Sequence, residues 1–112
     1  MRPKNLSPRA IRDIDEAVDD IAASAAGPVF AERFAVAVAE AAEWVARHPR
    51  LGHRRLELLP GQFRFRAVKG FDYLLVYDAD HPDCRVLRVV YMRRDLGPLL
   101  AGLHDSPEAA DG

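Results

Sequence analysis

Cysteine is nearly absent from this chain: Cys84 stands alone among 112 residues. No internal disulfide can form, which fits a reducing compartment. Long apolar runs are missing too. No stretch approaches the roughly 20 residues that a spanning helix needs, and Met1–Leu6 lacks the character of a signal peptide. The chain therefore reads as soluble and cytoplasmic, with no membrane partner. Glycine is sparse and scattered: Gly52, Gly61, Gly70 and Gly97 are isolated, and no glycine-rich loop opens a helix to cradle a phosphate. The four histidines (His48, His53, His81 and His104) never pair with Cys, Asp or Glu at a known ligand spacing, so no metal and no cofactor are expected. Nucleophiles are equally scarce. Ser7 is explained by helix capping, Ser24 lies in a helix, and Ser106 falls near the end of the chain. Cys84 sits beside an Asp-rich turn, which raises a thiol pKa rather than activating it.

What is present is ordinary globular material. Apolar residues make up 49% and charged residues 29% of the chain, a composition that supports one hydrophobic core. A single domain over residues 1–104 is expected, with a frayed tail over 105–112. The net charge of −1 conceals a segregation. Residues 1–46 carry −3, residues 47–95 carry +5, and the remainder carries −3. A basic middle between acidic ends points to an acidic or polyanionic partner, although a solvated sheet face accounts for it as well.

Periodicity predicts the elements. Arg2–Leu6 can extend as an edge strand. Ser7-Pro8 starts a helix, with a hydroxyl at the N-cap and proline at the first helical position. Ile11, Ile14, Val18, Ile21 and Ala25 then recur at helical spacing, and Gly27-Pro28 is expected to end the helix. A second helix, from about Val29 to His48, carries Phe30, Phe34, Val38, Ala41, Val45 and His48 on one stripe, with Trp44 at its edge. After His48–Gly52, an irregular basic connection runs to the turn at Pro60-Gly61. Phe63, Phe65 and Ala67 alternate with Arg64, Arg66 and Val68, the period-2 signature of a half-exposed strand. Phe71–Tyr77 reads as a central strand, Arg85–Met92 as a third, and Leu96–Leu103 as a short apolar turn. The order α-α-β-β-β gives an α+β fold: an N-terminal helical hairpin packed on a small antiparallel β-sheet, here a three-stranded meander.

The candidate functional residues are mostly basic. Arg64 and Arg66 lie two apart on one strand and project from the same face, where they suit phosphates or the carboxylates of a protein partner. Solvent-facing strand positions explain them equally well. Tyr73, Tyr77 and Tyr91 could supply stacking or proton transfer, though strand aromatics are usually packing.

The ordered pattern resembles a known family. Leu6-Ser7-Pro8-Arg9-Ala10 through Asp13-Ile14, the Pro-x-x-Gly linker in His48-Pro49-Arg50-Leu51-Gly52, Phe63-Arg64, Tyr73–Tyr77 and the exit Arg93-Arg94-Asp95 are similar to the RelE/ParE toxins, and closer to ParE than to RelE. The resemblance covers about residues 4–100. It implies the toxin of a type II toxin–antitoxin module that inhibits DNA gyrase, is neutralised by a ParD-like antitoxin, and binds no DNA on its own. The resemblance casts such a toxin as a protein-binding inhibitor and not an enzyme. Arg64, Arg66 and Arg88 are the expected antitoxin contacts, and Tyr91, Arg93, Arg94 and Asp95 the expected target contacts. The alternative is a RelE-like ribosome-dependent ribonuclease. Metal-free RNA cleavage needs a base, an acid and cations for phosphate, and Arg64, Arg66, Tyr91 and Arg94 are the residues that could supply them. Leu96–Leu103 contains no Tyr, Glu or His, so that set is incomplete. Tyr91-Met92 also departs from the family, in which His commonly precedes the Arg-Asp exit.

Overall fold

A computed structural model describes residues 3–103. His104, Ser106 and the expected frayed tail over 105–112 lie outside the described residues, as does Arg2. Helix α1 spans Pro8–Ala23 and helix α2 spans Gly27–Arg47. Four strands come next: β1 His53–Arg54, β2 Phe63–Ala67, β3 Tyr73–Asp78 and β4 Val86–Tyr91. A one-turn helix, α3, covers Leu96–Leu100. The strands pair antiparallel in chain order. No helix among the described residues is long and apolar enough to cross a membrane.

The start of α1 is built as its sequence dictates. The Ala10 amide donates to the Ser7 hydroxyl at 3.0 Å, and that hydroxyl donates to the Leu87 carbonyl at 3.1 Å, so one side chain caps the helix and ties it to β4. Backbone bonds reinforce the tie: Val86 N–H to Asn5 O at 2.7 Å and Ser7 N–H to Val86 O at 2.9 Å. The expected N-terminal edge strand reduces to one parallel bridge between Leu6 and Val86.

The helix boundary departs from expectation. Helix α1 stops at Ala23, where the Ser24 side chain and amide both turn back to the Ile21 carbonyl. Gly27-Pro28 opens α2 instead of closing α1. The physical reason is proline's preset φ, which suits a first helical turn, while Gly27 takes a φ of +82° to make the corner. Phe30 and His48, placed on the buried stripe by spacing, end up exposed, and Ala31 and Ala42 are buried in the positions that face the neighbours.

The sheet differs in two ways. It has four strands and not three, because His53 and Arg54 in the basic connection pair with Phe65 and Arg64. Two residues are too few to show a period. Both faces of the sheet are also buried. On one face the hairpin covers Val68, Leu75, Tyr77, Val86 and Val89. On the other, Leu59 and the C-terminal Leu96, Leu100 and Leu103 close a second core over Phe63, Phe65, Val76, Leu87 and Val90. Register fixes which way β2 points. Phe65 pairs with Val76 of the second core, whereas Arg64 and Arg66 pair with Tyr77 and Leu75, which face the hairpin. The two arginines share a face as expected, but it is the helix side. Between Val76 and Tyr77 the register slips so that Leu87 is the extra residue of a bulge in β4.

Candidate functional site

The linker after α2 is held from beneath. The buried Tyr77 hydroxyl donates to the Pro49 carbonyl at 2.9 Å and accepts from the Gly52 amide at 3.0 Å. A Cβ at position 52 would overlap that hydroxyl, which explains the glycine of the Pro-x-x-Gly linker. Arg64 completes the clamp, its Nη1 donating to the carbonyls of Arg50 (2.9 Å) and Gly52 (3.0 Å). Burial raises the Tyr77 pKa, so the phenol stays protonated and keeps its donor. Arg64, one of the expected antitoxin contacts, thus directs its guanidinium into the fold. The sequence signal for the clamp was the Pro-x-x-Gly spacing; its partner, Tyr77, looked like any strand aromatic.

Arg66, half-buried on the same face, reaches the flank of α2. Its guanidinium lies 3.7 Å above the centre of the Trp44 ring, a cation–π stack. The pair floors a groove of about 720 Å³ between α2 and the β2 edge. Arg33, Arg47 and Lys69 also border it, together with Val29, Val36 and Phe71.

Arg88, the third expected antitoxin contact, lies in a different place. Its Nε meets Asp13 Oδ2 at 2.8 Å and its Nη2 meets Oδ1 at 3.3 Å, with side chains only 11% and 7% exposed. Asp13 Oδ2 also accepts the Val89 amide at 3.0 Å, satisfying a donor of the edge strand β4. Asp13 on α1 therefore docks the helix and protects the edge at once. Periodicity could not reveal this, because Asp13 is a charged residue between apolar stripe positions.

The exit of β4 forms a third locus. Tyr91 stacks beside Tyr73, ring centroids 5.3 Å apart, and both line a cleft of about 230 Å³ with Arg94, Arg9, Glu16 and Asp20. Burial, then the charge of Asp20, raises the Tyr73 pKa above its ordinary 10.0, leaving a neutral phenol at physiological pH. Arg93 pairs with Asp72 at 3.0 Å on the surface and interacts with the Tyr91 side chain as well. Asp95 occupies the N-cap of α3 without a side-chain cap bond.

The β4-exit cleft takes in Arg88 and Asp13 as well, but the Arg64 and Arg66 loci are separate from it. With ideal sheet spacings, the register puts Tyr91 roughly 12 Å from Arg66 and 17 Å from Arg64, Cα to Cα. Arg66 opens on the α2 side of the hairpin and Tyr91 with Arg94 on the α1 side. Cys84 is no nucleophile: its buried thiol donates to the Val45 carbonyl at 3.1 Å, and burial with Asp78 pushes its pKa up to about 11. Among the described residues no three His, Cys, Asp or Glu side chains gather into a metal-binding group.

A helical hairpin on a four-stranded antiparallel sheet, with a pinned Pro-x-x-Gly linker and a basic β2 edge, defines a protein of the RelE/ParE-like class. A family model described as the ParE toxin of the type II toxin-antitoxin system, parDE, matches residues 5–96, and the chain belongs to that family. None of the curated proteins matches it significantly.

Proposed function

We propose that this toxin inhibits DNA gyrase by protein–protein contact in the cytoplasm and is neutralised by a ParD-like antitoxin. Family membership supports the toxin role. The observation that carries the binding mode is the division of the basic and phenolic residues. A metal-free ribonuclease needs its base, acid and phosphate-holding cations around one scissile bond. Here Arg64 spends its guanidinium on linker carbonyls, while Arg66 and the Tyr91–Arg94 pair open on opposite sides of the hairpin. On this reading, Tyr91, Arg93, Arg94 and Asp95 form the target-facing exit, and Arg66 is the antitoxin contact among the three candidate arginines.

Supercoiling by purified gyrase, with and without the chain, tests the proposal. Inhibition at modest molar excess is expected, and its relief by the antitoxin. Unaffected supercoiling, with codon-linked mRNA cuts in primer extension after induction, would replace this reading with the RelE-like ribonuclease.

A further inference from the structure

We infer that the cleft at the β4 exit is the seat of one lysine or arginine side chain of the target, held over the Tyr73 and Tyr91 rings beside the carboxylates of Glu16 and Asp20. The inference rests on the target-facing reading of the exit above and deepens it by naming the chemistry that the cleft takes from its partner.

The first argument is how α1 and β4 run. Leu6 bridges Val86 in parallel, the Ser7 hydroxyl reaches the Leu87 carbonyl, and Asp13 reaches Arg88 and Val89, so helix and strand advance side by side. One to two turns past Asp13, this brings Glu16 and Asp20 to Tyr91 at the strand's end and to Tyr73, its register partner on β3. The second is the balance of charge. Of the cleft's three carboxylates, Asp13 is spent on Arg88 (2.8 Å) and Arg9 (3.4 Å). Glu16 and Asp20 are exposed, four residues apart, and have no cation within ion-pair distance among the described residues. Like charges at that spacing weaken a helix, and an incoming cation relieves them. Arg94 also lines the cleft but does not cancel them: at the Tyr73 hydroxyl the charge of Asp20 outweighs that of Arg94. The third is the aromatic pair. The Tyr73 and Tyr91 rings tilt at 58° to each other, and Tyr91 remains 38% exposed. The negative face of such a ring attracts an ammonium or guanidinium group. At about 230 Å³ the cleft falls below the roughly 300–1,000 Å³ of small-molecule pockets, a size that suits one long side chain. Its free carboxylates oppose a phosphate backbone, and it is continuous with the exit residues Tyr91 and Arg94, so the cation comes from a protein.

Supercoiling by purified gyrase, titrated with the full toxin, reads the site. Glu16→Gln with Asp20→Asn removes both charges at exposed positions and should raise the toxin concentration for half-inhibition at least about tenfold. Tyr91→Phe keeps the ring face and should stay within about twofold of wild type, whereas Tyr91→Ala should lose about fivefold or more. Asp19→Asn, on α1 outside the cleft, should change nothing. Circular dichroism melts show that each variant is folded; should the double variant melt early, Asp20→Asn alone serves, with a loss of about threefold expected. Inhibition that survives the neutralisation unchanged would overturn the site while leaving the gyrase reading standing. Stronger inhibition by the neutralised toxin would overturn the sign of the occupant, since the target would then be bringing an acid to Arg94. Equal losses in Tyr91→Phe and Tyr91→Ala would overturn the ring-face contact. A wild-type toxin without effect on supercoiling would overturn the gyrase reading and the stated occupant together.

Discussion

Gly52 and Tyr77 show how one residue fixes a loop. The Tyr77 hydroxyl fills the space where a side chain at 52 would go and bonds both sides of the linker. Gly52→Ala should therefore cost about 2–4 kcal/mol, since either the clamp opens or the buried phenol shifts. Tyr77→Phe should cost about 1–3 kcal/mol by leaving the Gly52 amide and Pro49 carbonyl without their partner. Urea unfolding of each variant against wild type checks both values. At Cys84 the sign is also fixed. A folded-state pKa of about 11, above the ordinary 9.0, makes a contribution to stability that is complete below pH 9 and fades as pH rises toward 11. A disulfide reagent at pH 8 should react far more slowly with the native protein than with the unfolded chain, and equal rates would contradict the burial.

Among the elements, Asp13 is the joint between α1 and β4. Replacing it with Ala strands the half-buried Arg88 and the Val89 amide, and should cost about 3–5 kcal/mol. Replacing the pair, Asp13→Leu with Arg88→Met, should cost less than the sum of the single changes, because the Arg88 charge is then no longer buried without its carboxylate, although Arg9 still loses its Asp13 partner; a double-mutant cycle in urea measures the difference. The elements also show what a single sequence could and could not say. Both helices were legible, because Ser7-Pro8 is a local start signal and the apolar spacing is regular over several turns. The α1–α2 corner was not, because Gly-Pro can close the helix before it or open the helix after it, and both neighbours here are helical. The Phe–Arg alternation of β2 marks two faces, yet neither is left to water as a half-exposed strand would be: the hairpin covers one, and Leu96, Leu100 and Leu103, some thirty residues away, cover the other. Of the candidate site, the basic residues were visible as residues, but Arg64 and Arg88 turned inward through partners no local pattern announces. Spacing places Trp44 at a stripe edge, and nothing local announces the Arg66 guanidinium stacked above it.

For the molecule as a whole, the sheet divides the interior into two cores, and the smaller one depends on the last described residues. Leu100, 1% exposed, fills its centre, so Leu100→Ala should cost about 2–5 kcal/mol. Ending the chain after Asp95 should bare Phe63, Phe65, Val76, Leu87 and Val90 on one sheet face. Dye binding to exposed apolar surface and loss of a cooperative melt are the expected readouts. The ties from Asn5 and Ser7 to Cys84, Val86 and Leu87 carry a separate consequence for biogenesis. During synthesis the hairpin leaves the ribosome first, but the strand that receives it is made some eighty residues later. Docking must await β4, and the second core must await Leu103, so the domain closes only after Leu103 has left the ribosome. The surfaces shaped by the hairpin against β4 therefore come into being late, after every strand of the sheet has been made.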